Sequence, residues 1–106
     1  MADTEHIYKV RVMPAAAWKM ADHIEFLSRV SPAAAARLRQ ALATDIAGLQ
    51  TNPERFSRYE TAIPTDKNLR KRLTNKRYWI VFDLGADTVT VVDVQDCRQN
   101  PDNNLI

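Results

Sequence analysis

Hydrophobic and polar positions alternate along this chain in two periods, and the switches between them divide it into elements. Residues 7–12, IYKVRV, set Tyr8, Val10 and Val12 against Ile7, Lys9 and Arg11, the period of two that marks a half-buried strand. Pro14 opens a different pattern. Ala17, Met20, Ala21, Ile24 and Leu27 recur every three or four residues, which predicts an amphipathic helix over 15–29 with Lys19, Asp22, His23 and Glu25 mostly outward. Ser31-Pro32 restarts the helix, serine as N-cap and proline at the first helical position. Ala35, Leu38, Leu42, Ile46 and Leu49 carry this second helix to about Thr51, where Asn52-Pro53 ends it, because a residue before proline disfavours the helical region. So short a connection folds the two helices back on each other as a hairpin.

Residues 53–68 hold no sustained period and are expected to form a long loop. Three strands follow: Leu69 to Thr74, Arg77 to Leu84, and Thr88 to Cys97 or Arg98, with turns near Asn75-Lys76 and at Gly85-Ala86-Asp87. The closing QNPDNNLI predicts a short tail over 99–106. The expected fold is α+β in the order β-α-α-β-β-β, a single domain over 1–106, with the helical hairpin on one face of a mostly antiparallel four-stranded sheet. Alternation places Leu69, Lys71 and Leu73 on one side of their strand and Arg70, Arg72 and Thr74 on the other. The leucines are expected to seek the helices, which would leave Arg70 and Arg72 together on the open face. On the last strand Val92, Val94, Asp96 and Arg98 are expected to share one side.

Composition narrows the class. A chain of 106 residues, 45% hydrophobic and 26% charged, is enough for one globular core and too short for two. The single cysteine, Cys97, excludes an internal disulfide and a cysteine-built metal site within one chain. Phosphate-loop, HExxH and G-x-S-x-G patterns are absent and no carboxylate pair stands out, so neither a metal nor a cofactor is expected. The N-terminus lacks a signal-peptide core and no apolar run approaches a membrane span, which predicts a cytoplasmic protein without a membrane partner.

Net charge is only +2, yet the basic residues are not spread evenly. Lys67, Arg70, Lys71, Arg72, Lys76 and Arg77 fall within eleven positions, uninterrupted by a carboxylate, and lead into the aromatic and β-branched run Tyr78-Trp79-Ile80-Val81-Phe82. Guanidinium groups held on a rigid sheet suit a polyanion, because the planar fork binds phosphate oxygens in pairs. The same run is also how a solvated face or a guarded edge strand is written, and composition leaves both open. Tyr78 and Trp79 are expected to pack in the core or on the sheet face, His6 and His23 to be surface histidines, and Cys97 to be a small apolar filler.

Taken together, IYKVRV, SPAAAARLRQALATDIAGLQTNP and LRKRLTNKRYWIVFDLGADTVTVVDVQDCR resemble, in that order, the RelE/ParE superfamily of toxins from bacterial type II toxin–antitoxin pairs. The most telling parts are the SP-capped second helix ending in NP, the RYWIVF strand and the closing VVDVQDCRQ. The resemblance implies a growth-arresting toxin neutralised by a cognate antitoxin protein. It also implies one of two mechanisms. RelE-like members are ribosome-dependent endoribonucleases that cut mRNA in the ribosomal A site with basic residues; ParE-like members poison DNA gyrase.

Onto the ribonuclease pattern Arg70, Arg72 and Arg98 map as catalytic, while Lys67, Lys71, Lys76 and Arg77 of the basic run are expected to bind nucleic acid. Three mapped arginines incline the reading toward mRNA cleavage. Two departures weigh against it. Trp79 stands where many ribonuclease members carry arginine, and QNPDNNLI supplies neither the Tyr nor the His that often acts there as acid or base. General acid–base help is typically worth about 10²–10⁴-fold, so its loss predicts a weak nuclease or none. Gyrase poisoning, or a remnant binding module without catalysis, are the alternatives.

Overall fold

The structure is a computed structural model and describes residues 6–98; the tail expected at 99–106 lies outside the described residues. Strand β1 (Lys9–Val12) leads into helices α1 (Pro14–Val30) and α2 (Pro32–Ala47), and then strands β2 (Ser57–Arg58), β3 (Leu69–Thr74), β4 (Tyr78–Leu84) and β5 (Thr88–Asp96) complete the sheet. Its order is β1-β5-β4-β3-β2, with β1 parallel to β5 and every other pair antiparallel.

The helix boundaries follow from their end groups. Pro14 occupies the first turn of α1, and Met13 before it still donates its N–H to Val91 O (2.9 Å), so the strand ladder hands over directly to the helix. Ser31 accepts from Ala34 N (3.2 Å) and caps α2. α2 stops at Ala47, short of Thr51, and one 3₁₀ turn over Gly48–Gln50 carries Leu49 into the core.

Residues Ala16, Leu38, Leu42, Ile46 and Leu49 bury against Tyr78, Ile80, Phe82, Val89, Val91 and Val94, and these side chains form the core between hairpin and sheet. At roughly 25 cal/mol per Å² of apolar surface, burying such side chains is the main favourable term in folding.

Three expectations need correction. The sheet has five strands, because Ser57 and Arg58 pair with Lys71 and Arg70 inside the segment expected to be loop. A bulge shifts the β4–β5 register between Val81 and Phe82, so Val91 and Val94 both reach the helix side although simple alternation separates them.

The third correction concerns β3. Cross-strand partners share a face, and Arg70 pairs with Phe82, Arg72 with Ile80 and Thr74 with Tyr78. The two arginines therefore stand on the helix side. Leu73 pairs with Trp79 on the opposite face and is 46% exposed. That second face is not bare, since Leu69, Val81 and Gln95 are buried there, and Gln95 Nε2 donates to the Tyr59 hydroxyl (3.0 Å) and to Asp93 Oδ2 (2.9 Å).

Candidate functional site

Arg70 and Arg72 stand two residues apart on one face of β3, beside the last turn of α2 and the residues that follow it. Arginine suits that place because its long stem crosses the gap and its guanidinium meets backbone carbonyls that lack partners. Arg72 Nη1 donates to Asp45 O in the last turn of α2 (3.1 Å), and Nη2 pairs with Asp45 Oδ1 (3.1 Å). A carbonyl at a helix C-terminus has no intrahelical donor and lies at the negative end of the dipole, so a cation there both caps and stabilises it. The guanidinium also lies 4.9 Å from the Phe56 ring centroid. A Cβ at Gly48 would come within 3.0 Å of Arg72 Nη1, so glycine leaves room for the guanidinium.

Arg70 Nη1 donates to Glu54 O (3.1 Å) and Phe56 O (2.7 Å), pinning the 3₁₀ turn Pro53–Arg55 to the sheet edge. Its Nε is buried without a partner. Both guanidinium groups thus fasten the chain to itself.

The third mapped arginine is elsewhere. β5 ends at Asp96, and Arg98 follows it, its side chain 55% exposed and paired with Asp96 through Nη2–Oδ2 (3.1 Å) and Nε–Oδ1 (3.3 Å). Burial pushes the Asp96 carboxyl up, but the Arg98 hydrogen bonds outweigh it and hold the group below its usual range. Among the described residues Arg98 shares no hydrogen-bond or ion-pair partner with Arg70 or Arg72.

The expected nucleic-acid residues divide as well. Lys67 lies in the loop before β3, and Lys71 stands on the second face with its Nζ 4.5 Å from the Trp79 ring centroid. Lys76 and Arg77 sit on the β3–β4 turn. There they line a groove of ≈ 350 Å³ together with Arg37, Leu27, Ala34, Asn75 and Tyr78.

A neighbouring cleft of ≈ 430 Å³ between α1 and the end of β5 is lined by Lys19, Asp22, His23, Phe26, Tyr78 and Asp96. His23 is not a plain surface histidine: its Nε2 lies 2.9 Å from Val94 O and its ring packs 5.1 Å from that of Tyr78. Tyr78 is buried as expected, and its phenol is pushed up from the ordinary value by that burial and then by the Asp96 charge. Cys97, expected as a filler, is exposed. Among the described residues no cluster of His, Cys, Asp and Glu is disposed to hold a metal, and no helix is long and apolar enough to cross a membrane.

Sequence reasoning did not single out Arg37 and took His23 for a surface residue, because nothing near either in the chain marks a site; only the fold brings Arg37 to the turn and His23 to β5. It also missed how much of α1 stays uncovered. Trp18, Phe26 and Val30 are 74%, 62% and 73% exposed on the helix, with the charged Asp22 between the first two.

Comparison with known proteins bears on the same architecture. A family model described as "ParE toxin of type II toxin-antitoxin system, parDE" matches residues 10–101. A solved structure titled "Chromosomal ParDE TA system from P. aeruginosa" is similar with a TM-score of 0.68 at 12% identity, covering 86% of this chain and 97% of that one; at such identity the likeness concerns the fold. No curated protein sequence matches the chain.

Proposed function

The chain belongs to the ParE toxin family of type II toxin–antitoxin systems, and from that membership we propose that it arrests growth by binding and poisoning a protein target, without nuclease chemistry of its own. DNA gyrase is the target that the resemblance implies for members of the ParE kind. The observation that carries this reading is the engagement of Arg70 and Arg72. A ribonuclease of the RelE kind needs its basic groups free to meet a phosphate as charge develops in the transition state. Here both guanidinium groups are committed to Asp45, Glu54 and Phe56, and Arg98 is held apart by Asp96.

The exposed Trp18, Phe26 and Val30 of α1 support a cognate antitoxin as the standing partner. Large apolar side chains left uncovered on a helix are what a second amphipathic segment covers.

One observation favours mRNA cleavage as a second reading. The cleft beside Arg98 gathers an imidazole, a phenol and a carboxylate, those of His23, Tyr78 and Asp96, the residue types that ribonuclease chemistry draws on. Arg98→Ala separates the two readings, because Arg98 is exposed and its loss leaves the β3 clamps untouched. If gyrase is poisoned, the full chain with Arg98→Ala still inhibits supercoiling by purified gyrase and still arrests growth. Loss of toxicity in a variant that folds normally, together with A-site cuts by the unaltered chain, establishes the nuclease instead.

A further inference from the structure

We infer that the groove between α2 and the β3–β4 turn is a phosphodiester site, and that through it the toxin contacts the backbone of duplex DNA. Arg37, Lys76 and Arg77 line it, and no carboxylate does. Convergence is the first support. Lys19, Arg29, Arg72 and Arg98 are each paired with a carboxylate. Arg37, Lys76 and Arg77, like Lys9, Arg11, Arg39, Arg58 and Lys67, form no side-chain ion pair or hydrogen bond among the described residues, but these three line one groove. Three like charges around one concavity repel one another, and an anion drawn into it relieves them all.

The second support is rigidity. Arg77 N–H donates to Thr74 O (3.2 Å) and Arg77 O accepts from Cys97 N (2.7 Å), so the turn is tied both to itself and to the end of the sheet. Lys76 is held at φ 62°, a left-handed conformation that costs a lysine strain yet places its side chain at the groove. Arg37 projects from the second turn of α2, whose N-terminus Ser31 caps.

Among anions, the fit is to a phosphodiester. Two guanidinium forks match phosphate oxygens, and the apolar wall of Leu27, Ala34 and Tyr78 suits the sugar. Most protein–DNA hydrogen bonds go to phosphate and sugar, and such contacts position a protein without reading sequence. The inference deepens the gyrase reading, since a toxin that traps a topoisomerase works beside DNA, but its test requires no gyrase.

The test is fluorescence anisotropy of a labelled mixed-sequence duplex titrated with the purified full chain across a range of salt. The probe variant carries Arg37→Gln, Lys76→Asn and Arg77→Gln; the control carries Lys9→Gln, Arg11→Gln and Arg39→Gln, losing equal charge away from the groove. Asparagine is chosen at 76 because it tolerates the left-handed turn. Thermal melts confirm that both fold.

The expected result is DNA binding by the unaltered chain and by the control, with at least tenfold loss in the groove variant. The slope of log K against log salt should fall by about 0.9 for each phosphate contact removed. Equal weakening in control and groove variants, or no binding by the unaltered chain, overturns the inference. So does competition by polyglutamate as effective as unlabelled duplex at equal charge. Gyrase inhibition by the same groove variant, measured separately, shows whether the proposed target fails or stands independently of this site.

Discussion

At the scale of single residues, the account turns on what an arginine is for. Arg72 satisfies a helix-end carbonyl, pairs with the carboxylate of the same residue and covers Phe56, so Arg72→Ala leaves Asp45 half-buried and unpartnered. Charged hydrogen bonds of this kind are worth about 2 kcal/mol, and urea denaturation should register a loss of that order. A double-mutant cycle probes the contact more finely. Gly48→Ala should destabilise the unaltered chain, where a new Cβ crowds Arg72 Nη1, and be neutral or favourable once Arg72 is alanine, since alanine is the better helix former. The coupling should reach about 1 kcal/mol, and additivity would mean the guanidinium moves aside freely.

Tyr78 supplies a pH test. Its phenol is raised in the folded state, so the stability it contributes is complete below the unfolded value near 10 and is lost as pH climbs through the folded one. Stability measured from pH 9 upward should fall less steeply in Tyr78→Phe than in the unaltered chain.

At the scale of elements, periodicity is a sound guide where an element is long and one face is buried. Both helices, β3, β4 and β5 lie within a few residues of their expected places, and Ser31-Pro32 marks the α1–α2 boundary as its capping chemistry requires. β2 escapes because two residues carry no period; only its pairing with Lys71 and Arg70 defines it. The facing of β3 differs from the expected one for another reason. Alternation sorts side chains into two sets but does not say which set faces inward, and hydrophobicity alone selects the leucines.

At the end of α2 and the turn after it, the helix side of β3 meets the carbonyls of Asp45, Glu54 and Phe56, to which arginine can donate and leucine cannot. The β3–β4 turn carries its own prediction. Thr74–Arg77 has positive φ at both central positions, 52° at Asn75 and 62° at Lys76. Asparagine accepts that conformation and lysine does so with strain of about 1 kcal/mol. Lys76→Gly should therefore raise the melting temperature by roughly 5 °C.

At the scale of the molecule, the six clustered cations of the sequence separate in space into three uses. Arg70 and Arg72 clamp the fold, Lys67 and Lys71 lie on the loop and the second face, and Lys76 and Arg77 join Arg37 at the groove. That separation was not legible in the chain, since proximity in sequence is proximity in space only along one face of one strand. The family was legible, because element order survives where individual residues do not.

In the function proposed above, this ParE-family chain arrests growth by poisoning gyrase and does not cut mRNA. The measurement that meets it most directly is induced expression in a bacterium lacking the antitoxin, following amino-acid incorporation, A-site mRNA ends and the DNA-damage response over the first minutes. The account predicts DNA breaks, filamentation and damage signalling while incorporation continues and mRNA ends stay unchanged, with Arg98→Ala behaving alike. Immediate loss of protein synthesis with A-site cuts, before any DNA damage, would contradict it.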